Sequence, residues 1–172
     1  RTLAKAVAGI HPARTIPAFA PYNFKQWFRQ RGRGRETEGM SAFRSAFRAP
    51  RSALNPVILW ADTFNNYFHP QTAQAAVAVL EAAGFQVNVP MQNLCCGRPL
   101  HDWGMLTEAK NRLREILDTL SEPIAAGVPI VVLEPSCASV FRDELTNFFP
   151  NDENAKRLVR EFADAGKLVA AI

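Results

Sequence analysis

The sequence predicts an α/β fold: a small three-layer parallel sheet of three or four strands with flanking helices, preceded by an irregular basic arm. Three observations predict it. Short apolar runs at 57–60, 85–89 and 129–133 have the length and the Val/Ile/Leu content of buried strands. Segments with apolar residues at helical spacing lie between and after these runs, giving the order β-α-β-α-β-α. Strands separated by helices in this way pair in parallel, with the helices covering the sheet.

Residues 1–55 form the arm. A helical turn or two fits 2–10, and His11-Pro12, Ile16-Pro17 and Pro21 break the chain after it. Phe24, Trp27 and Phe28 recur at helical spacing, predicting a short amphipathic helix over 22–31. Gly32-Arg33-Gly34-Arg35-Glu36 reads as a loop, and 36–55 is polar and irregular, with Phe43 and Phe47 four positions apart. The aromatic residues of this arm need an apolar surface that the arm itself does not contain.

Residues 56–172 form the body. After the strand at 57–60, His69-Pro70 opens a helix with proline in the first turn. Ala75, Ala76, Val79, Leu80 and Ala83 are expected to line its buried face, and Gly84 to cap it. The strand at 85–89 leads into a loop over 90–100. Leu106, Ala109, Leu113, Ile116, Leu117 and Leu120 predict a long amphipathic helix over 104–121, followed by a short one ended by Gly127. The strand at 129–133 is the most apolar. Ser136 is expected to cap a helix over 137–148, and Asp152 one over 153–170.

With 48% hydrophobic residues the chain is globular, and no stretch approaches the ~20 apolar residues of a membrane span. No secretory leader is visible, and the first residue is not Met, so the chain reads as a piece of something longer. Three cysteines, two of them adjacent, make a poor disulfide framework and favour a reducing, cytoplasmic setting. Charge divides along the chain: residues 1–55 carry eleven Lys and Arg against two acids, and the rest carries nine against fourteen. The Arg/Gly run at 29–35 has the composition of some nucleic-acid-binding segments. The reading favoured over nucleic acid is contact with an acidic domain or with an anionic surface at the inner face of the cytoplasmic membrane.

The residues that carry chemistry follow the strands. Asp62 and Thr63 follow the first, Cys95 and Cys96 the second, and Cys137 the third. Ligands of open parallel sheets bind outside the carboxyl ends of the strands. Two loops therefore bring thiols to one rim, and Cys95, Cys96 and Cys137 are the candidate metal ligands. Cys137 falls in the first turn of a helix, where free N–H groups favour a thiolate, the metal-binding form. Gly97 is assigned to cofactor binding, because a positive φ lets the backbone pass close to a bound centre. His101 is a further candidate ligand, set against an ordinary loop position. Glu134 is expected to pair with Arg98 and order the rim. His69 reads as a helix-entry residue, and His11 receives no role. No acid–base pair or activated nucleophile is identifiable, so no residue is assigned as catalytic.

The segments Asn93-Leu94-Cys95-Cys96-Gly97-Arg98-Pro99 and Glu134-Pro135-Ser136-Cys137, with Trp60-Ala61-Asp62-Thr63-Phe64 before them, resemble the cysteine-rich CCG domain. That domain occurs in heterodisulfide reductase subunits, glycolate oxidase iron–sulfur subunits, the anaerobic glycerol-3-phosphate dehydrogenase subunit and FAD-linked oxidases of the D-lactate dehydrogenase type. The resemblance spans about 56–148 and is nearest to the last group through Asp62–Pro70. It implies an electron-transfer module of an oxidoreductase acting on a 2-hydroxy acid such as D-lactate or glycolate. It also implies an iron–sulfur cluster, FAD in another domain, and flavin and ferredoxin-like domains as partners. A second cysteine-rich copy is expected to complete the site, with this chain as the first copy and metal-free as a fragment.

Two positions depart from the family pattern. The cysteine expected before the Cys-Cys pair is Asp62, with 32 residues between it and Cys95, and the closing cysteine is Val140. Three thiolates fall short of the four that a [4Fe–4S] cluster normally takes. Asp62 becomes a candidate oxygen ligand on this ground. The alternatives are a zinc site, in which the thiols and His101 or a carboxylate complete four ligands, and a metal-free structural or docking domain.

Overall fold

The computed structural model describes residues 2–32 and 55–170. A three-stranded parallel sheet of order β2-β1-β3 organises it, with β1 at Asn55–Trp60, β2 at Phe85–Asn88 and β3 at Ile130–Val132. Val57 pairs with Val87 and Leu59 with Val131, so β1 is hydrogen-bonded on both edges. A central strand must be apolar on both faces, which is why its pattern is a continuous run rather than an alternation. Ile58 and Trp60 enter one apolar cluster, and Val57 and Leu59 the other, as the two-residue period of a strand dictates. Burying side chains such as Ile58 and Leu59 completely contributes about 1.5–3 kcal/mol each.

Each face carries a helical layer. On the first lie α6 (Leu106–Thr119), α7 (Ser121–Ala125) and the C-terminal helices, with Leu113, Ile116, Leu117, Ile124, Phe141, Leu145 and Leu158 buried together. The ring of Phe141 meets Trp60 edge-on at 5.1 Å. On the second face lie α2 (Phe24–Gly32) and α4 (Pro70–Ala82). A first short helix, α1, spans Thr2–Val7. The partner that the arm's aromatic residues required is therefore the sheet itself. Phe24 is fully buried against the second-face cluster, and Trp27 and Phe28 stack around it. Phe43 and Phe47 lie outside the described residues.

Four local expectations change. The buried stripe of α4 is Pro70, Ala73, Val77 and Leu80, whereas Ala75 and Ala83 are exposed and Val79 is 52% exposed. An alanine-rich helix offers two overlapping stripes, and packing on the sheet selects the one containing Val77. A short helix, α3 (Thr63–Tyr67), follows β1 directly, with Asp62 as its N-cap. Another, α5 (Arg98–Asp102), occupies the end of the expected 90–100 loop. After β3, the helix begins earlier than expected: α8 is Pro135–Ser139, capped by Glu134 rather than Ser136. A π-helical turn, Val140–Glu144, joins α8 to α9 (Leu145–Phe148), and α10 spans Glu153–Ala170. Among the described residues no helix is long and apolar enough to cross a membrane.

Candidate metal centre

The strands β2 and β3 lie on opposite edges of the sheet, so their C-terminal loops meet only if one of them crosses the end of β1. The loop after β2 does this. Val89 still packs on the second face, whereas Leu94 and Cys96 belong to the first-face cluster together with Cys137. Gly97 then turns the chain into α5 at φ 78°. A Cβ there would make ordinary contact with the backbone of Ala109, at 3.4 Å, so it is the positive φ rather than crowding that favours glycine.

The crossing brings the sulfurs together. Cys96 Sγ lies 3.1 Å from Cys137 Sγ, and the two residues are 5% and 7% exposed. Cys95 is half-buried and interacts with the Cys96 thiol. The hydrogen bond to Cys137 and burial push the Cys96 thiol up to about 12, with the Cys95 hydrogen bond acting the other way. The hydrogen bond to Cys96, followed by burial, raises Cys95 well above the usual thiol range. The three cysteines thus form a chain of contacts through Cys96.

The spacing of that chain matters. A tetrahedral metal with bonds of about 2.3 Å to sulfur separates its sulfurs by about 3.8 Å. The 3.1 Å contact is a thiol pair that has to open before both sulfurs bind one ion. Consistently, among the described residues no three His, Cys, Asp or Glu side chains stand as a ready-made metal cage. The donor set is still the soft sulfur type suited to iron–sulfur centres or zinc. The same apolar cluster holds the Trp60 indole N–H, buried and without an acceptor among the described residues. The residues present fit part of a sulfur-rich centre, short of a fourth donor.

The other candidates are placed elsewhere. Both carboxylate oxygens of buried Asp62 are engaged by Asn65, from its backbone N–H at 2.9 Å and its side-chain amide at 2.7 Å. His101 sits in α5 with its ring edge-on to Phe148 at 5.9 Å. Val140 is buried among the first-face residues. Glu134 does not pair with Arg98: its carboxylate accepts from the Ser136 backbone N–H and hydroxyl, because Pro135 starts the helix and leaves Glu134 at the cap.

Arg98 instead reaches Glu144, at 2.6 Å, and Asp102, at 2.8 Å. It thereby ties the turn after Cys96 to the π-helical turn after Cys137. Sequence spacing gives no sign of this pairing, since the residues are 46 positions apart and the π turn sets where Glu144 projects. Lys25 also escapes a reading of the sequence. It is buried at the rim, and its ammonium donates to the Gln92 carbonyl at 2.6 Å. Its one signal is position, immediately after Phe24 in the aromatic stripe of α2.

Comparison with known proteins adds relatives to this geometry. Residues 62–142 match the model of a cysteine-rich domain, CCG. Over 158 residues, 91% of this chain, it is 25% identical to a subunit of the anaerobic glycerol-3-phosphate dehydrogenase of Escherichia coli (strain K12), covering 36% of that protein. Over 108 residues, 63% of this chain, it is 28% identical to lactate utilization protein A of Bacillus velezensis and of Anoxybacillus flavithermus, covering 43% of each. The chain thus spans less than half the length of these relatives. No solved structure matches it. The cysteine-rich-domain match at 62–142 takes in all three cysteines and leaves α2 outside.

Proposed function

We propose that this chain, whose residues 62–142 match the model of a cysteine-rich CCG domain, is an electron-transfer module of a larger oxidoreductase, with Cys95, Cys96 and Cys137 holding part of an iron–sulfur centre. The observation that carries the reading is the meeting of the Cys96 and Cys137 sulfurs, 3.1 Å apart, at the carboxyl end of the sheet, with Cys95 next to Cys96 in the chain. A bound cluster supplies one-electron transfer there. The residues around it do the rest. The first-face side chains exclude water from Cys96 and Cys137, and Arg98 holds their two loops in register through Glu144.

The partial donor set supports a centre shared with a second cysteine-rich copy, which supplies the missing ligands. The names of the relatives, a glycerol-3-phosphate dehydrogenase subunit and lactate utilization proteins, support a role in oxidising small hydroxylated substrates. In this reading the substrate is a 2-hydroxy acid such as D-lactate or glycolate. It is oxidised at an FAD domain, and electrons pass through ferredoxin-like clusters of the same assembly. The test is iron content and the cluster's electron paramagnetic resonance signal in the anaerobically purified full-length protein. Cys96→Ser is expected to remove one centre from both readouts. Unchanged iron and an unchanged spectrum would overturn the reading.

A metal-free docking role is the second reading. It is favoured by the engagement of both Asp62 oxygens within α3 and by the buried valine at position 140. Full activity of the intact protein with no metal at this domain would select it. Zinc on the three thiols is separated from iron by elemental analysis of the same sample.

A further inference from the structure

Lys25 and Asp62 are the charged side chains that the described part of the structure buries. Asp62 spends its oxygens on Asn65. Lys25 is only 7% exposed, and its ammonium has a carbonyl, Gln92 O, as its hydrogen-bond partner. No carboxylate among the described residues pairs with it, and burial alone draws the amine down, to about 8. It remains charged at neutral pH. A buried cation without a counter-charge is costly, and sites that keep one are commonly functional.

Lys25 lines a half-open cleft of about 140 Å³. Thr63, Asn66 and Tyr67 line it from the segment after β1, and Asn93 and Cys95 from the loop after β2. The lining holds a cation, two hydroxyls, two side-chain amides and a thiol, and no carboxylate. The cleft opens outside the carboxyl ends of two adjacent parallel strands, where open sheets bind their ligands. Lys25 reaches it only because Phe24 anchors α2 in the second-face core and Asn66 accepts from the Lys25 backbone N–H at 3.0 Å.

We propose that this cleft binds a small carboxylate, its charge held by the Lys25 ammonium beside the Cys95 thiol. A single ammonium with neutral donors matches a monoanion. A phosphate dianion would leave charge unmatched, and no guanidinium fork is present to take it. The cleft, at about 140 Å³, is well below the several hundred cubic ångströms of a drug-sized site, so the ligand is small. The site needs no metal, but it shares Cys95 with the proposed centre, so it is tested on the metal-free chain.

The experiment is titration of the ¹⁵N-labelled, metal-free chain with acetate, acetamide and inorganic phosphate, followed by amide chemical shifts. Acetate is expected to shift Thr63, Asn66 and Asn93 saturably, and acetamide to leave them in place. Lys25→Met should weaken acetate binding at least about tenfold, and Lys25→Arg should retain most of it. The acetate–acetamide contrast is read on the unmodified chain, so it stands even if Lys25→Met fails to fold. Equal shifts with acetamide, tighter binding of phosphate than of acetate, or no saturable shift with acetate would overturn the proposal.

Discussion

The sulfurs of Cys96 and Cys137 lie 3.1 Å apart although the residues are 41 positions apart in sequence and follow strands on opposite edges of the sheet. A disulfide needs a separation of about 2.05 Å, so closing one requires a movement of about 1 Å. The metal-free chain treated with hydrogen peroxide is expected to form the Cys96–Cys137 bond. Two thiol hydrogens leave, and the peroxide is reduced to two waters. Intact mass should fall by about two daltons, and a non-reducing peptide map should join the two cysteines. A map that joins Cys95 to Cys137, or no bond at all, would contradict the observed spacing.

Arg98→Ala removes the tie between the two thiol-bearing turns and leaves Glu144 without its partner, with Oε2 of that carboxylate already buried and unpaired among the described residues. The expected loss is about 1–2 kcal/mol, since the pair is partly solvent-screened. The urea midpoint should fall with an unchanged slope, and Cys96 should be alkylated faster. A parental midpoint and alkylation rate would show that the tie is dispensable.

Gly97→Ala and Gly84→Ala both test backbone strain. The two glycines have positive φ, 78° and 87°. A Cβ at 84 meets open space, and one at 97 makes ordinary contact with the backbone of Ala109, at 3.4 Å. The left-handed conformation costs about 1–2 kcal/mol. Each substitution should therefore cost about that much, measured by chemical denaturation. A much larger loss at 97 than at 84 would place α6 closer to the cysteine loop than the structure does.

Burial lowers the Lys25 amine to about 8, against an ordinary value of 10.5. Between those values the unfolded chain holds more protons than the folded one, so this residue makes stability rise as pH increases from about 8 towards 10.5. Below about 8 both states are protonated and the penalty is constant. Lys25→Met should abolish this residue's share of the slope. Denaturation of both proteins across that range, compared as a difference, checks it; identical pH profiles would mean the ammonium is well solvated.

Much of this molecule is legible in its sequence. The apolar run at 57–60 specifies a buried central strand because such a strand has no polar face to declare, and the stripe from Leu106 to Leu120 specifies α6 because its charged residues leave one apolar register. The positions of Cys95, Cys96 and Cys137 at strand ends follow from chain order alone. The buried face of α4 is not legible in the same way, because alanine marks no preference between stripes, and the stripe through Val79 turns out to face solvent.

Tertiary structure decided which groups touch. The crossing of the 90–97 loop over β1 sets the contact between Cys96 and Cys137. The early start of α8 at Pro135 moves Glu134 to the cap, and the π turn gives Arg98 a different acid, Glu144. Anchoring of α2 by Phe24 carries Lys25 to the rim. Local periodicity encodes which face of an element is apolar. Contacts between groups forty or more positions apart depend on how separate elements pack, and no short stretch of sequence carries that information.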